Sequence, residues 1–310
     1  MSNSPNHFAD RLTEAIATKE TPLMVGIDPR LGNLPASLRE GIADGDYSQI
    51  ATAFESFGKE IIDVVAPMVA AIKPQSAFFE QLGPAGTVAL ANVVDHAVEK
   101  GLLVIMDGKR NDIGSTAMAY AKAYLGKKPD SAWGCDALTI NPYMGDDSLQ
   151  PFIDRSLETG SGLFTLVKTS NPGSNTFQEL PCGSAKLYQQ VADWVQNAAQ
   201  ECQGKCGYGA IGAVVGATHP DHLAELRHRM PNTFFLIPGF GAQGGKASDI
   251  ATAFDSQGSG AIVNSSRGII FAYEKSEYAN ASSWQHAVEL ATEKAIAVIG
   301  DAVNTFTAKA

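Results

Sequence analysis

The sequence predicts an α/β protein built as a single (β/α)₈ barrel with an additional N-terminal helix, and three observations predict it. Short apolar runs recur at residues 23–28, 69–73, 102–107, 137–141, 163–168, 213–216, 234–238 and 261–264. Each is nearly continuous and not alternating, as a strand covered on both faces requires. Segments of helical period separate the runs. Polar residues able to do chemistry stand at the C-terminal ends of most of them. A barrel gathers those ends around one mouth, whereas an open doubly wound sheet, the main alternative, spreads them along an edge.

The elements follow in order. Residues 1–22 begin as an amphipathic stretch with no apolar core of signal-peptide type, and are expected to form a helix closing the barrel bottom. The segment 47–67 places Ile50, Phe54, Phe57, Ile61 and Val65 at helical spacing. Segments 87–100, 115–125, 147–158, 184–203, 219–229, 246–256 and 283–303 share that rhythm. Ser48 and Asp147 fit helix starts, and Gly101 and Gly126 fit helix ends. No composition break divides the chain, so one domain is expected over residues 1–310. Two connections are long, 29–46 and 169–183, and loops of that length in a compact domain are often functional.

Composition narrows the function. A formal net charge of −10 argues against non-specific binding to nucleic acid or to an anionic membrane surface. It leaves room for an anionic small substrate at a locally basic site. No apolar run reaches the roughly 18 residues of a membrane span. Cys135, Cys182, Cys202 and Cys206 match no common zinc or CxxC spacing, and read as reduced thiols of a cytoplasmic protein. His219 and His222 read as helix-cap or surface residues and not as metal ligands.

The most informative segment runs from Met106 to Thr116 (MDGKRNDIGST), from an apolar strand into a helix. Asp107 and Lys109 share a face if the strand continues through them. Asp112 lies one turn further, near the helix start, and Lys73 ends the second strand at the same mouth. A DxKxxD pattern by itself could brace a loop. Four alternating charges on adjacent strands point instead to function, because burying them together costs stability. The eighth strand ends in Asn264-Ser265-Ser266-Arg267, where barrels often hold phosphate: Arg267 would give a bidentate contact, and backbone N–H groups near Ser266 the rest. The glycine-rich stretch after Pro238 could close over an anion and expel water.

DGKRNDIGSTA resembles the DxKxxD signature of the orotidine 5′-phosphate decarboxylases. Ile72-Lys73-Pro74 resembles that family's second-strand lysine, and Gly26-Ile27-Asp28 its first-strand aspartate. The likeness runs from about residue 23 to 270 and is to the longer-loop branch. It implies loss of CO₂ from orotidine 5′-phosphate to give UMP, the last step of de novo pyrimidine nucleotide synthesis, with no metal and no cofactor. Lys109 would protonate C6, with Asp107 near the departing carboxylate and Asp112 and Lys73 holding the network. Asp28 would bond a ribose hydroxyl and Ser170 the pyrimidine. Pro238 would lie near the base, and Gln243 would contact the phosphate. Thr116 would join Asp112 in the ribose pocket of a neighbouring subunit, making the active unit a homodimer. Hexulose-phosphate synthases and keto-gulonate-phosphate decarboxylases share DxKxxD but use Mg²⁺ with an acidic ligand near the second-strand end. Here that place holds Lys73, whose charge would oppose a divalent ion. A barrel that only binds nucleotides is the other alternative, and it would not need two carboxylates beside an anion.

Overall fold

Apolar runs buried on both faces must find strand neighbours on either side, and here they do so by closing on themselves. The computed structural model describes residues 7–217, 220–240 and 247–309. Among these, β1 (Leu23–Ile27), β2 (Ala71–Pro74), β3 (Leu103–Arg110), β4 (Ala137–Ile140) and β5 (Gly162–Lys168) are followed by a small antiparallel hairpin, β6 (Pro181–Cys182) and β7 (Ala185–Lys186). Then come β8 (Ile211–Val215), β9 (Phe235–Ile237) and β10 (Ala261–Ser265). All but the hairpin run parallel in a closed barrel, with β1 and β10 completing the ring at Leu23 opposite Val263. Every expected run becomes a strand, and β3 extends through the motif to Arg110.

Side chains alternate along each strand and so build two cores. Met24, Ala71, Ile105, Ala137, Phe164 and Ile262 face inward in one cluster, together with Phe8, Ala9 and Leu12 of the helix Phe8–Lys19. Phe8 meets Phe164 edge to face at 5.9 Å. It also lies so close over Gly162 that a Cβ there would stand 2.1 Å from its ring. Gly162 opens β5, so this helix covers the N-terminal ends of the strands. Arg11 pairs with Asp136 and bonds the Gly160 carbonyl at 3.2 Å, and the Asp10 carboxylate accepts from the Cys206 N–H at 2.8 Å. The other strand face, including Val25, Ile72, Val104 and Val263, packs on Phe54, Phe57 and Ile61 of the helix Tyr47–Val65.

Local departures from expectation have local causes. The helix at Tyr47 is capped by Asp46 and not by Ser48: the Asp46 carboxylate accepts from the N–H groups of Ser48 (3.1 Å) and Gln49 (3.0 Å). The helix expected at Asp147 starts at Asp146. The helix expected over 246–256 is described as Ala247–Ile250 and a 3₁₀ turn Ala251–Ala253. Asp255 ends it, its carboxylate accepting from the N–H groups of Gln257 and Ser259 at 2.8 Å. The buried Arg227 guanidinium donates to the carbonyls of Ala253, Met230, Thr233 and Gly260 at 2.7–3.0 Å. The long connections carry structure of their own, a short helix Ala36–Arg39 in the first and a helix Ser174–Gln178 before β6 in the second. All four cysteines are free, and no helix among the described residues is long and apolar enough to cross a membrane.

Candidate active site

One step of two residues beyond the inward apolar layer brings the strands to their C-terminal ends, and the inward residues become Gly26, Lys73, Asp107, Thr139 and Asn264. Alternation therefore places the polar set directly above an apolar floor. Lys73, Asp107 and Thr139, with Lys109, Ser170 and Pro238, line a cavity of about 240 Å³ at this level.

Asp107 is its centre. The Lys73 ammonium donates to Oδ2 at 2.5 Å and the Lys109 ammonium to Oδ1 at 2.6 Å. Gln75 Nε2 adds a bond to Oδ2 at 3.0 Å, and the Thr139 hydroxyl one to Oδ1 at 3.1 Å. Burial by itself would push the Asp107 carboxyl up, but the ammonium of Lys73, and then that of Lys109, hold it far below the usual carboxylate range. Burial would likewise push Lys73 down. The carboxylates of Asp107 and then Asp28 reverse this, and its pKa is raised. Only 4% of Lys73 is exposed, so both charges of this pair are kept by each other and not by water.

Lys109 reaches Asp107 by an unusual route. Its φ is 45°, a left-handed conformation costly for a residue with a Cβ, by about 1–3 kcal/mol. The β3–β4 register shifts between Met106 and Arg110, and the Lys109 N–H donates to Thr139 Oγ1 at 2.9 Å. Thr139 thus fixes both the carboxylate and the backbone that carries the second ammonium. About half of the Lys109 side chain is exposed, unlike Lys73.

The other expected residues lie at different distances from this centre. Ser170 and Pro238 line the cavity. Asp28 follows β1, half-buried, with Oδ1 buried and without a hydrogen-bond partner. Ser266 precedes the short helix Arg267–Ile270, and its Oγ accepts from Asn264 Nδ2 at 3.1 Å. Gly26 makes room for it, since a Cβ at 26 would stand 1.9 Å from Ser266 Oγ. Arg267 is exposed, and Gln243 lies outside the described residues, as does His219. Asp112 and Thr116 do not line the cavity of their own chain. The Asp112 carboxylate accepts from the Ile113 N–H at 2.8 Å, so within one chain the four-charge cluster is a trio.

Gln75, Thr139 and Asn264 were not singled out by sequence reasoning. Each is uncharged; Gln75 and Thr139 lie in no motif, and Asn264 opens the phosphate segment without a role of its own. The available signal was position: Gln75 lies two residues beyond Lys73, and Thr139 two beyond inward Ala137. Among the described residues no group of three or more His, Cys, Asp or Glu side chains gathers in a way that could hold a metal ion.

Comparison with known proteins bears on the fold and the family. The model of the orotidine 5′-phosphate decarboxylase / HUMPS family matches residues 22–281. The orotidine 5′-phosphate decarboxylase of Rhodopirellula baltica is 51% identical over 290 residues, covering 92% of this chain and 96% of its own. That of Caldicellulosiruptor saccharolyticus is 41% identical over 301 residues, covering 92% and 99%. Among solved structures, the OMP decarboxylase of Leishmania donovani superposes with a TM-score of 0.73 at 32% identity, over 97% of this chain and 99% of that one. The chain belongs to the orotidine 5′-phosphate decarboxylase / HUMPS family, the family its DxKxxD segment resembles.

Proposed function

We propose that this protein decarboxylates orotidine 5′-phosphate to UMP and CO₂, completing de novo pyrimidine nucleotide synthesis, with its own charged side chains as the catalytic apparatus. The observation that carries this reading is Asp107, held between Lys73 and Lys109 on the wall of a cavity that Ser170 and Pro238 also line. The C6–carboxylate bond breaks, its electron pair stays on C6, and a proton from the Lys109 ammonium replaces CO₂. The exposed flank of Lys109 gives it access to solvent for reprotonation. Asp107 stands beside the departing carboxylate. Lys73 holds Asp107 ionised, and the preorganised charges offset the cost of developing charge on C6.

Ser170 bonds the pyrimidine, Pro238 packs near the base, and Asp28 takes a ribose hydroxyl. The unpartnered Oδ1 of Asp28 supports that role, since a buried acceptor calls for a donor. Ser266, Arg267 and Gln243 grip the phosphate. Binding energy from that remote group can drive alignment at C6. Asp112 and Thr116 complete the site of a partner subunit in a homodimer. In support, both avoid their own cavity, and Ile113 and Tyr120 beside them expose large apolar side chains. No metal takes part in this reading, because both oxygens of Asp107 are already engaged by ammonium groups.

The test is the ultraviolet absorbance of orotidine 5′-phosphate under saturating conditions, with and without EDTA. Conversion to UMP that survives EDTA is expected. An unchanged spectrum would leave a nucleotide-binding barrel, and activity lost to EDTA and restored by Mg²⁺ would overturn the metal-free reading.

A further inference from the structure

Outside the catalytic trio, a second lysine is buried at the mouth end of the barrel: Lys168, the last residue of β5. It is 2% exposed, so its ammonium depends on protein partners for what water would supply. The oxygen partners all come from the connection that follows, and an aromatic ring from the helix beyond it. Glu179 Oε1 lies 2.9 Å away, Ser174 Oγ and Asn175 Oδ1 each 3.3 Å, and the Tyr188 ring faces it at 5.6 Å. The second oxygen of Glu179 takes the ammonium of Lys186 at 2.5 Å, on β7 of the hairpin. Bonds from Lys186 and Lys168 hold the Glu179 carboxyl down at about 2, so it stays charged at neutral pH. Next to Lys168, the Thr169 N–H donates to Gln178 Oε1 at 2.9 Å, and Gln178 Nε2 returns a bond to Thr169 Oγ1 at 2.8 Å.

These contacts fold the connection back on its own start. The loop that these two anchors close begins with Ser170 and Asn171, which line the catalytic cavity together with Thr169. Ser170 is pressed against the neighbouring strand end, where a Cβ on Gly216 would come within 2.9 Å of Ser170 Cβ. The length of the 169–183 connection thereby acquires a use: it must travel out, turn, and bring a carboxylate back to a buried lysine.

We propose that the Lys168–Glu179 ion pair, with Gln178, is a strap that positions Ser170 against the substrate. Lys168, Gln178 and Glu179 are positioning residues, because they act through Ser170 and do not themselves line the cavity. This rests on the decarboxylase reading. The experiment is a double-mutant cycle on kcat/KM for orotidine 5′-phosphate with Ser170→Ala and Glu179→Gln, each variant checked by thermal melting.

In the otherwise native protein Ser170→Ala should lower kcat/KM by about tenfold or more, the loss of one well-placed hydrogen bond. In the Glu179→Gln background, already impaired to a similar extent, the further loss should shrink to about threefold or less, since coupled residues fail to add. Lys168→Arg, which keeps a cation for Glu179, should restore most of what Lys168→Met loses. Equal losses from Ser170→Ala in both backgrounds would overturn the strap, as would an unimpaired Glu179→Gln. If Glu179→Gln does not fold, Gln178→Ala, which cuts the other anchor, takes its place in the cycle under the same criteria. Absence of turnover by the native protein would strike the decarboxylase reading. Additive losses in an active enzyme would strike the strap alone.

Discussion

The ammonium of Lys73 and the carboxylate of Asp107 stand 2.5 Å apart on adjacent strands, and neither is more than 7% exposed. The pKa of each is moved away from neutrality by the other. The depressed Asp107 contributes stability that is complete above the ordinary carboxylate range and is lost as pH falls through its lowered value. The raised Lys73 contributes stability that is complete below the ordinary lysine range and is lost as pH rises through its raised value. Neither group should therefore titrate between roughly pH 5 and pH 10. We expect kcat to show no inflexion from this pair inside that window. A kcat inflexion between those limits that disappears in Asp107→Asn would show the carboxylate to be labile after all.

Lys109 should separate chemistry from binding. Lys109→Ala is expected to abolish turnover, a loss of about 10³-fold or more, because the proposed proton donor is gone. Binding of a UMP-like inhibitor should fall by about tenfold or less, since phosphate and ribose contacts remain. Comparison of single-turnover rates with inhibitor affinity measures the two. Equal losses in both would count against a role in the chemical step.

A shared site predicts complementation. Neither Lys109→Ala nor Asp112→Ala alone should turn over well. When the two are unfolded and refolded together at equal amounts, half the dimers should be mixed, and each mixed dimer should hold one intact site. Recovery of about a quarter of native activity follows from that symmetry. Recovery of none would remove Asp112 from the partner's pocket.

Gly26 and Ser266 test the phosphate end. A Cβ at position 26 would stand 1.9 Å from Ser266 Oγ, so Gly26→Ala must displace that side chain. We expect KM to rise about tenfold with a smaller change in kcat, as suits loss of ground-state binding. The double variant Gly26→Ala/Ser266→Gly relieves the clash and should recover part of the loss. Unchanged KM in Gly26→Ala would show that Ser266 plays no part in gripping the nucleotide.

The strand positions and the charged residues at their ends were legible because each rests on a strong local pattern. A continuous apolar run announces a doubly covered strand, and its last polar residue announces the mouth. The left-handed Lys109 was not legible, because only its surroundings impose that conformation on a residue that ordinarily avoids it. Thr139 and Gln75 became visible only once register set them beside Asp107. Asp46 and Ser48 are equally good cap types, and the choice between them depends on where the backbone leaves the helix. The segment 246–256 has helical spacing, but Asp255 binds its own following N–H groups and stops the helix early. Glu179 carries no periodic signal, since its partner Lys168 is met only after the connection folds back.

The helix Phe8–Lys19 has a consequence for how the molecule comes to be. Its anchors, Asp136, Gly160, Phe164 and Cys206, lie far along the chain. This helix is synthesised well before those partners, so its contacts with Phe164 and Cys206 form only once β5 and the segment beyond it have been made. Phe8 must therefore wait in water until β5 arrives to receive it, whereas Lys19 at the other end of the helix can reach the carbonyls of Ala66 and Pro67 sooner.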